Sequence, residues 1–410
     1  GFPEGAVAGV LDFNTRVSTK TIYAAPTRGA QGNALKTILG IPIALGCTEP
    51  VWIESGGNKH ILSAYLDPAG AVRTDHLINT SDIITGTKVT VTIPRYDQEF
   101  EAIYWAKAFS ILNPHAFVKI VVKQSSINHG KLSTPVYSEI YKPLIDNFRK
   151  HTVRDLTSPW WYTDENLARL VFSNINANAI KKPLGEFIRE FKGLTSTTKA
   201  KRVLEQLSGI KCLTDFEQKP ELVSNLLEAM KSQTKPPKPE ILGVIGKENF
   251  QKRFCEMYDV DRFWYQKSRC YIENIPFIFE VALAEVNDEE GAIYTGINFS
   301  PTYEDPYSNS LLRANDIIAY NLKGFLANSH CHTNPEYKCG NKPVVVAAHL
   351  VSPVLQFMDR GKTRLRLDNE VLKEISKCLG QVTKTLYKEE KRRTKDAARE
   401  ERKRNAKHRR

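Results

Sequence analysis

A ten-residue segment near the start of the chain has the residue types of a phosphate-binding site. Two close glycines there precede a helix-forming run, in the sequence Thr27-Arg28-Gly29-Ala30-Gln31-Gly32-Asn33-Ala34-Leu35-Lys36. Glycine lets the backbone approach an oxyanion, and the first turn of a helix offers unpaired N–H groups and partial positive charge. Arg28 or Lys36 would add a full charge. A tight turn before an ordinary helix uses the same glycines, so the segment alone leaves both interpretations open.

Two later positions have side chains that suit a nucleotide. Gly86-Thr87 precedes a run with the alternation of a half-buried strand, Lys88 to Ile93, and a threonine in such a place can bond adenine or an adjacent water. Lys362 lies in a polar turn, Asp359 to Thr363, from which an ammonium group could touch a phosphate as a point charge. An ordinary turn and a solvated lysine remain the alternatives.

A histidine and cysteine group offers the right atoms for zinc but the wrong spacing. His330, Cys331 and His332 are consecutive, and Cys339 follows seven residues later. Adjacent side chains diverge along a strand or a helix, so they do not readily complete one tetrahedron. We therefore expect no metal site in this chain.

An aromatic cluster, Trp160-Trp161-Tyr162, lies near Arg154 and Arg169. Such a group can stack on bases or clamp a nucleic-acid strand. Aromatic clusters more often pack in a core or an interface, and packing is the interpretation that we favour.

Length and composition favour a multidomain globular protein in the cytoplasm. The chain has 410 residues, which is more than one hydrophobic core normally organises, and its hydrophobic and charged fractions of 41% and 25% are ordinary. No apolar run is long enough to span a bilayer, and the first residues lack the pattern of a signal peptide. The seven cysteines are scattered, as expected in a reducing compartment. Because the chain begins at Gly1 without methionine, we expect further residues upstream.

The positive charge is concentrated at the end of the chain. The formal net charge is +12, and residues 387–410 contain twelve Lys or Arg against five Asp or Glu, a net +7. Such a run is typical of a solvated or disordered extension with salt-dependent, sequence-independent affinity for DNA.

The elements that would position these residues fall into successive regions. Residues 1–130 alternate glycine-rich turns with short apolar runs, which predicts an α/β sandwich with a mostly antiparallel sheet. Within it, Lys36 to Leu45 is interrupted by Gly40 and Pro42 and predicts a helix that runs into a strand.

The rest of the chain predicts a helical module followed by a second α/β region. Residues 140–232 have apolar residues at helical spacing, and the proline-rich segment 234–239 suggests a boundary. Residues 240–387 predict strands, a helical stretch from Ser310 to Leu326, and a long amphipathic last helix. Residues 388–410 form the basic tail. The predicted class is α+β.

With these pieces in order, the chain resembles the B subunit of DNA topoisomerase VI, the ATPase subunit of type IIB topoisomerases. Gly1-Phe2-Pro3 is similar to the end of that family's Asp-x-Gly-x-Gly-Ile/Phe-Pro loop. Arg28 to Ala34 is similar to its Arg-Gly-Gln-Gln-Gly-Ile-Gly lid, and Gly86-Thr87-Lys88-Val89 to the strand that closes the Bergerat-type (GHKL) nucleotide fold.

The resemblance continues through the later regions. Residues 140–232 resemble the family's helix-two-turn-helix module. The segments around Leu242 to Glu248 and Ile275 to Val281 follow the order of its passage into the transducer domain, an α/β sandwich of ribosomal-S5-like type that ends in a long helix. His349 to Lys362 resembles the closing strand and switch loop, which makes Lys362 the lysine that reaches the γ-phosphate.

The resemblance implies a function and a set of site residues. It implies a subunit that binds ATP and Mg²⁺, dimerises on ATP binding, holds double-stranded DNA and gates strand passage with a separate DNA-cleaving A subunit. It implies a cytoplasmic, nucleoid-associated protein that is not bound to a membrane. Lys362 takes the catalytic role, and the cofactor-binding residues are Arg28, Gly29, Ala30, Gln31, Gly32, Asn33, Ala34 and Thr87.

The sequence also departs from the family pattern. Ala30 and Asn33 replace the usual Gln and Ile, and Ala34 replaces the third glycine of the lid. The general-base Glu, the Mg²⁺-binding Asn and the adenine-binding Asp of the family would lie before Gly1, so we expect no ATP hydrolysis by this chain. Two alternatives stay open: a non-hydrolysing relative that serves DNA binding or assembly in a mobile element or defence system, and a nucleic-acid-binding adaptor without a nucleotide site.

Overall fold

The structure is a computed structural model that describes residues 7, 23–26, 34–93, 102–123, 135–152, 155–177, 182–333, 342–358 and 363–408. The chain forms two compact units, one from residues 1–22 and 29–101 and the other from 23–28 and 102–410. The mixture of helices with largely antiparallel sheets is that of an α+β protein. No helix in the described part is long and apolar enough to cross a membrane.

The first unit is built on a four-stranded antiparallel sheet. Its order is β3-β2-β1-β4. The described elements are helix α1 (Ala34–Ala44) and strands β1 (Val51–Ser55), β2 (Asn58–Leu66), β3 (Val72–Thr80) and β4 (Thr87–Thr90).

Helix α1 corrects one sequence prediction. The helix is continuous to Ala44, where a strand was expected from Ile41 onward. Leu39 of the helix is buried with Val51, Ile53 and Leu62 of the sheet. The burial of this apolar face outweighs the low helix propensity of Gly40 and Pro42, which lie near the end of the helix.

The second unit begins with a helix, a two-stranded sheet and a helical region. Helix α2 (Ala102–Leu112) precedes the antiparallel strands β5 (Val118–Lys123) and β6 (Pro135–Tyr141). The helical region has an apolar core that includes Phe187, Phe191 and Phe216. Its described helices are α3 (Asp164–Ala177), α4 (Leu184–Arg189), α5 (Thr197–Glu205) and α6 (Leu222–Ser232).

A five-stranded sheet of order β10-β9-β13-β8-β7 forms the rest of the second unit. Strand β13 is parallel to β9, and the other neighbours are antiparallel. The described elements are α7 (Lys247–Met257), β7 (Val260–Ile272), β8 (Ile275–Val286), β9 (Ala292–Ile297), β10 (Ser300–Pro301), β11 (Arg313–Ala314), β12 (Ile317–Ile318), α8 (Leu322–Asn328), β13 (Val344–Val351) and α9 (Asn369–His408).

The central strands of this sheet are buried on both faces. Every residue of β13 is buried, as is every residue of β8 after Ile275. Alternate residues of β8, among them Phe279 and Val281, share a core cluster with Ile375 of α9. Because successive side chains point to opposite faces, Glu280 lies on the face away from that cluster.

The expected helix from Ser310 to Leu326 is wrong over most of its length. Residues 313–318 form a small hairpin, β11 paired with β12, and the helix begins only at Leu322. Asn315 and Asp316 take positive φ angles of 49° and 67°, which suits a tight hairpin turn. Asn321 then caps the helix by accepting a hydrogen bond from the Gly324 N–H.

Helix α9 extends through the segment expected to be a solvated or disordered tail. Its apolar face is buried as far as Leu386, and the helix continues to His408. The last anchor is Arg262, whose guanidinium bonds both carboxylate oxygens of Glu389 at 3.0 and 2.9 Å. Residues 391–399 are exposed, so helix-forming Ala, Lys and Arg maintain the helix there without an apolar stripe.

Candidate functional site

The helix expected after the glycine segment begins at Ala34. Residues 28–33, the rest of the predicted phosphate segment, lie outside the described residues. No acidic residue occupies the first turn of α1, so no carboxylate opposes an anion there. The prediction of a helix directly after the glycines is confirmed, and phosphate binding by the segment stays a prediction.

Thr87 is the first residue of β4, as the Gly-Thr pattern predicted. Gly86 before it has a φ of 88°, and Thr87 itself is exposed. Thr87 pairs with Ser55 of the neighbouring strand β1, and its Oγ1 lies 3.2 Å from Ser55 Oγ. Ser55 Oγ also donates to the carbonyl of Gly86 at 3.0 Å.

This arrangement determines how the two hydroxyl groups share their protons. A serine has one hydroxyl proton, and that of Ser55 is directed to Gly86 O, so Thr87 donates its own proton to Ser55. The lone pairs of Thr87 Oγ1 can then accept from a ligand. A neutral amino group, such as the exocyclic amine of adenine, is a fitting donor. Sequence reasoning missed Ser55, whose only signal is its place before the Gly56-Gly57 turn.

Helix α1 and Thr87 lie on the same face of the four-stranded sheet. Val51, Ile53 and Ser55 alternate along β1 and point to one face, and Ile53 is in the core cluster with Leu39 of α1. Thr87 lies opposite Ser55 in the register and therefore points to that face as well. The fold thus places the start of α1 and the Thr87 hydroxyl on one side of the sheet.

Charged side chains on the other face of the sheet hold β4 against β1. Lys88 Nζ lies 2.8 Å from Glu54 Oε1, and Ser81 Oγ donates to Glu54 Oε2 at 3.0 Å. The hydrogen bond from Lys88, followed by that from Ser81, lowers the pKa of Glu54. These contacts fix the start of β4, where Thr87 lies.

The loop that contains Lys362 is held at its base within the second unit. Lys362 and its neighbours 359–361 lie outside the described residues. On either side, Met358 N donates to Arg364 O at 3.0 Å and Arg366 N donates to Gln356 O at 2.9 Å. These bonds make a short antiparallel ladder after β13, so the ends of the loop are fixed by the fold. The role of Lys362 stays a prediction.

The residues considered for zinc have other surroundings in the structure. Cys331 is buried, and burial raises the pKa of its thiol to about 12, which disfavours the thiolate that binds metal. The ring of His330 stacks on Tyr387 with centroids 5.4 Å apart. Cys339 lies outside the described residues, among which no group of three or more metal-binding side chains is found. The absence of a metal site stays a prediction.

The aromatic cluster packs in the helical region, as favoured. Trp161 and Tyr162 are buried, which leaves no face of either ring for a base. Tyr162 Oη accepts from Ala24 N at 2.7 Å, and Trp160 Nε1 donates to Thr234 Oγ1 at 3.1 Å. Arg154 lies outside the described residues.

The second unit also contains a buried carboxylate that sequence reasoning missed. Glu280 is fully buried and accepts from the backbone N–H groups of Ile245 and Gly246, each at 2.9 Å, and from Tyr265 Oη at 2.6 Å. His349 Nδ1 lies 3.3 Å from Glu280 Oε2. Burial acts to raise the pKa of Glu280, but His349, Tyr265 and Ile245 outweigh it, and the pKa is lowered.

His349, the histidine next to Glu280, has a defined proton position. His349 Nε2 accepts the backbone N–H of Phe299 at 3.0 Å, so a neutral ring carries its proton on Nδ1, toward Glu280. The cluster joins β8 and β13 to the turn before β10 and to the residues that precede α7. Nothing in the local sequence pattern points to it, since its members are far apart along the chain.

Comparison with known proteins does not assign the chain to a family. No protein-family model and no curated protein matches it. Among solved structures, it is similar to the 43K ATPase domain of Thermus thermophilus gyrase B in complex with an aminocoumarin. The identity is 13% and the TM-score 0.27, with 96% of this chain and 80% of that chain covered. A similarity at this level does not establish a shared fold.

Proposed function

We propose that the protein is an ATP- and DNA-binding subunit of the topoisomerase VI B type. The sequence resemblance over Arg28 to Ala34 and Gly86 to Val89 suggests this function. The structural observation that carries it is the placement of the start of α1 and the Thr87 hydroxyl on one face of the same sheet. A triphosphate at the helix start and an adenine near Thr87 would then lie on one surface.

In this proposal each part of the site has a separate role. The backbone of Gly29 to Ala34 binds phosphate oxygens, and Arg28 neutralises their charge. Thr87 accepts a hydrogen bond from the base. Mg²⁺ would neutralise the triphosphate when bound, although no residue of this chain is assigned to it. Lys362 supports γ-phosphate transfer, and ATP binding brings two copies of the chain together.

The partners in this proposal are double-stranded DNA and a separate DNA-cleaving A subunit. The exposed basic residues of α9 between 391 and 399 supply cations for phosphate contacts that do not depend on base sequence. The proposal therefore includes DNA affinity that falls as salt concentration rises.

A change in the glycine segment is expected to weaken nucleotide binding at least about tenfold. Gly32→Val places a branched side chain where the backbone must approach phosphate. The measurement is isothermal titration calorimetry with a non-hydrolysable ATP analogue and Mg²⁺. Gly40→Ala is the matched control, because a Cβ at Gly40 meets no atom within 4 Å and α1 is retained. Equal affinity of Gly32→Val and wild type would contradict the assignment of this segment.

The lysine of the late loop is expected to affect turnover more than binding. In the natural protein, Lys362→Ala removes a point charge that acts on the developing γ-phosphate charge, so ATP turnover falls while nucleotide affinity stays within about twofold. Steady-state ATPase assays and calorimetry on the same variant separate the two effects. Unchanged turnover would reject the role of Lys362.

The alternatives are a relative that binds DNA or assembles partners without hydrolysis and an adaptor without a nucleotide site. Sedimentation of the natural protein with and without the non-hydrolysable analogue distinguishes the adaptor, which keeps its mass in both conditions. Analogue-dependent dimerisation without ATP turnover would favour the non-hydrolysing relative.

A further inference from the structure

A cleft of about 470 Å³ opens within the second unit and contains none of the residues proposed to bind ATP. Its walls are residues 149–151 with Asp155 and Leu156, Lys192 after α4, and Glu240, Ile241 and Gly243 before α7. The volume lies in the range of small-ligand sites. Leu156 is 41% exposed and gives the wall an apolar surface.

Backbone pairing shapes the cleft. Lys150 forms an antiparallel bridge with Gly243, and His151 N donates to Leu242 O at 3.4 Å. Gly243 has a φ of 82°, and a Cβ there would lie 2.5 Å from Arg149 O and 2.8 Å from Lys150 Cα. Only glycine permits this close approach, which fixes Arg149 and His151 in the wall.

The charges of the cleft leave two cations without acidic partners. Asp155 accepts from Thr152 N at 2.6 Å and from Thr152 Oγ1 at 2.9 Å, and Glu240 forms an ion pair with Arg269 at 3.4 Å. Arg149 and Lys192 are exposed, and neither forms an ion pair with an acidic side chain in the described part of the chain. The cleft therefore favours an anion.

His151 adds a buried polar atom at the same place. The residue is 5% exposed, and its Nε2 lies 3.4 Å from Leu156 O. Its Nδ1 is buried and has no hydrogen-bond partner among the described residues. A buried polar atom in this state is unusual, and the His151 side chain that carries it lines the cleft.

We propose that this cleft binds a phosphate group of a nucleotide or of a nucleic-acid strand. Arg149 and Lys192 neutralise the phosphate, the His151 ring lies in the wall beside it, and Leu156 contacts the attached sugar. The proposal goes beyond the ATP site and does not depend on it.

The affinity of this site depends on pH in a defined direction. Burial lowers the pKa of His151, the nearby cation Lys192 acts in the same direction, and Asp155 and the neighbouring carbonyl groups act against it. A bound anion stabilises the imidazolium, so binding takes up a proton and weakens as pH rises.

The test uses two small probes, inorganic phosphate and dimethyl phosphate, the second of which mimics a strand phosphodiester. Binding to the whole chain is followed at pH 6 and pH 8 by the imidazole NMR signal of His151, assigned with His151→Gln, and by calorimetry. Arg149→Ala and Lys192→Ala should each weaken binding about tenfold. Lys201→Ala, which removes an equal exposed charge on α5, should change it less than twofold.

The outcomes distinguish the two sources of the phosphate, and they also define the results that contradict the proposal. Binding of dimethyl phosphate indicates a nucleic-acid backbone, and binding of inorganic phosphate alone indicates a terminal phosphate. Absence of a saturable change in the His151 signal, or equal losses in all three alanine variants, would overturn the proposal. Because the probes contain no base and the variants leave Arg28 to Ala34 intact, this result is independent of ATP binding.

Discussion

Replacing Glu280 with alanine is expected to lower the free energy of unfolding by about 3 to 5 kcal/mol. The change leaves the N–H groups of Ile245 and Gly246, the Tyr265 hydroxyl and the His349 Nδ1–H buried without their shared acceptor. Each buried donor without an acceptor lowers the free energy of unfolding, because water does not reach it to form a replacement hydrogen bond. Denaturant unfolding followed by far-ultraviolet circular dichroism measures the loss.

A matched control separates the buried cluster from the general effect of losing a carboxylate. Glu290→Ala removes an exposed glutamate of the same unit and should change the free energy of unfolding by less than about 0.5 kcal/mol. A loss for Glu280→Ala below about 1 kcal/mol would mean that the cluster contributes little to stability.

The contribution of Glu280 should also depend on pH. Because its pKa is lowered in the folded state, the stabilisation is present above the unfolded carboxyl pKa of about 4.3 and is lost as pH falls through the folded pKa. The difference in unfolding free energy between wild type and Glu280→Gln should therefore shrink below about pH 5. A difference that grows on acidification would show that the neutral carboxyl is the stabilising form.

Strand β8 and the last helix were both predicted from local sequence patterns. The buried apolar run around β8 predicted a strand, and the apolar stripe from Val371 to Leu386 predicted the last helix, because each element's period is visible in its own residues. The expected helix after Asn33 is likewise present, and Thr87 begins a strand.

The errors arise where tertiary packing or turn chemistry outweighs local preference. Gly40 and Pro42 suggested that α1 would end early, but the burial of Leu39 against the sheet keeps it intact. The hairpin over 313–318 depends on the positive φ angles of Asn315 and Asp316, a turn signal that the helical spacing of apolar residues obscured.

The candidate sites also divide into those that short motifs reveal and those that depend on the three-dimensional fold. The glycine segment and Thr87 are recognised from short motifs, whereas the hydroxyl pair of Thr87 and Ser55 depends on the strand register. The cleft proposed to bind phosphate joins residues from 149 to 243, and the Glu280 cluster joins residues from 245 to 349. Such groupings exist only in three dimensions, so one sequence read by pattern does not reveal them.

Replacing Gly291 with alanine is expected to destabilise the second unit by about 3 kcal/mol or more. Gly291 directly precedes β9, and its N–H donates to Thr333 O at 2.6 Å. A Cβ there would overlap the carbonyl oxygen of Val344 and lie 2.6 Å from its carbonyl carbon. Because that clash is with the backbone of a fully buried strand, no side-chain rotation relieves it, and β9 and β13 must separate.

The same substitution at Gly380 should change the free energy of unfolding in the opposite direction. Gly380 lies inside α9, and a Cβ there meets no atom within 4 Å, so Gly380→Ala gains helix propensity and should stabilise by up to about 1 kcal/mol. Urea unfolding of the two variants compares them directly. Equal effects would mean that the close approach of Gly291 to β13 does not restrict the sheet, whereas opposite signs assign the loss to backbone contact.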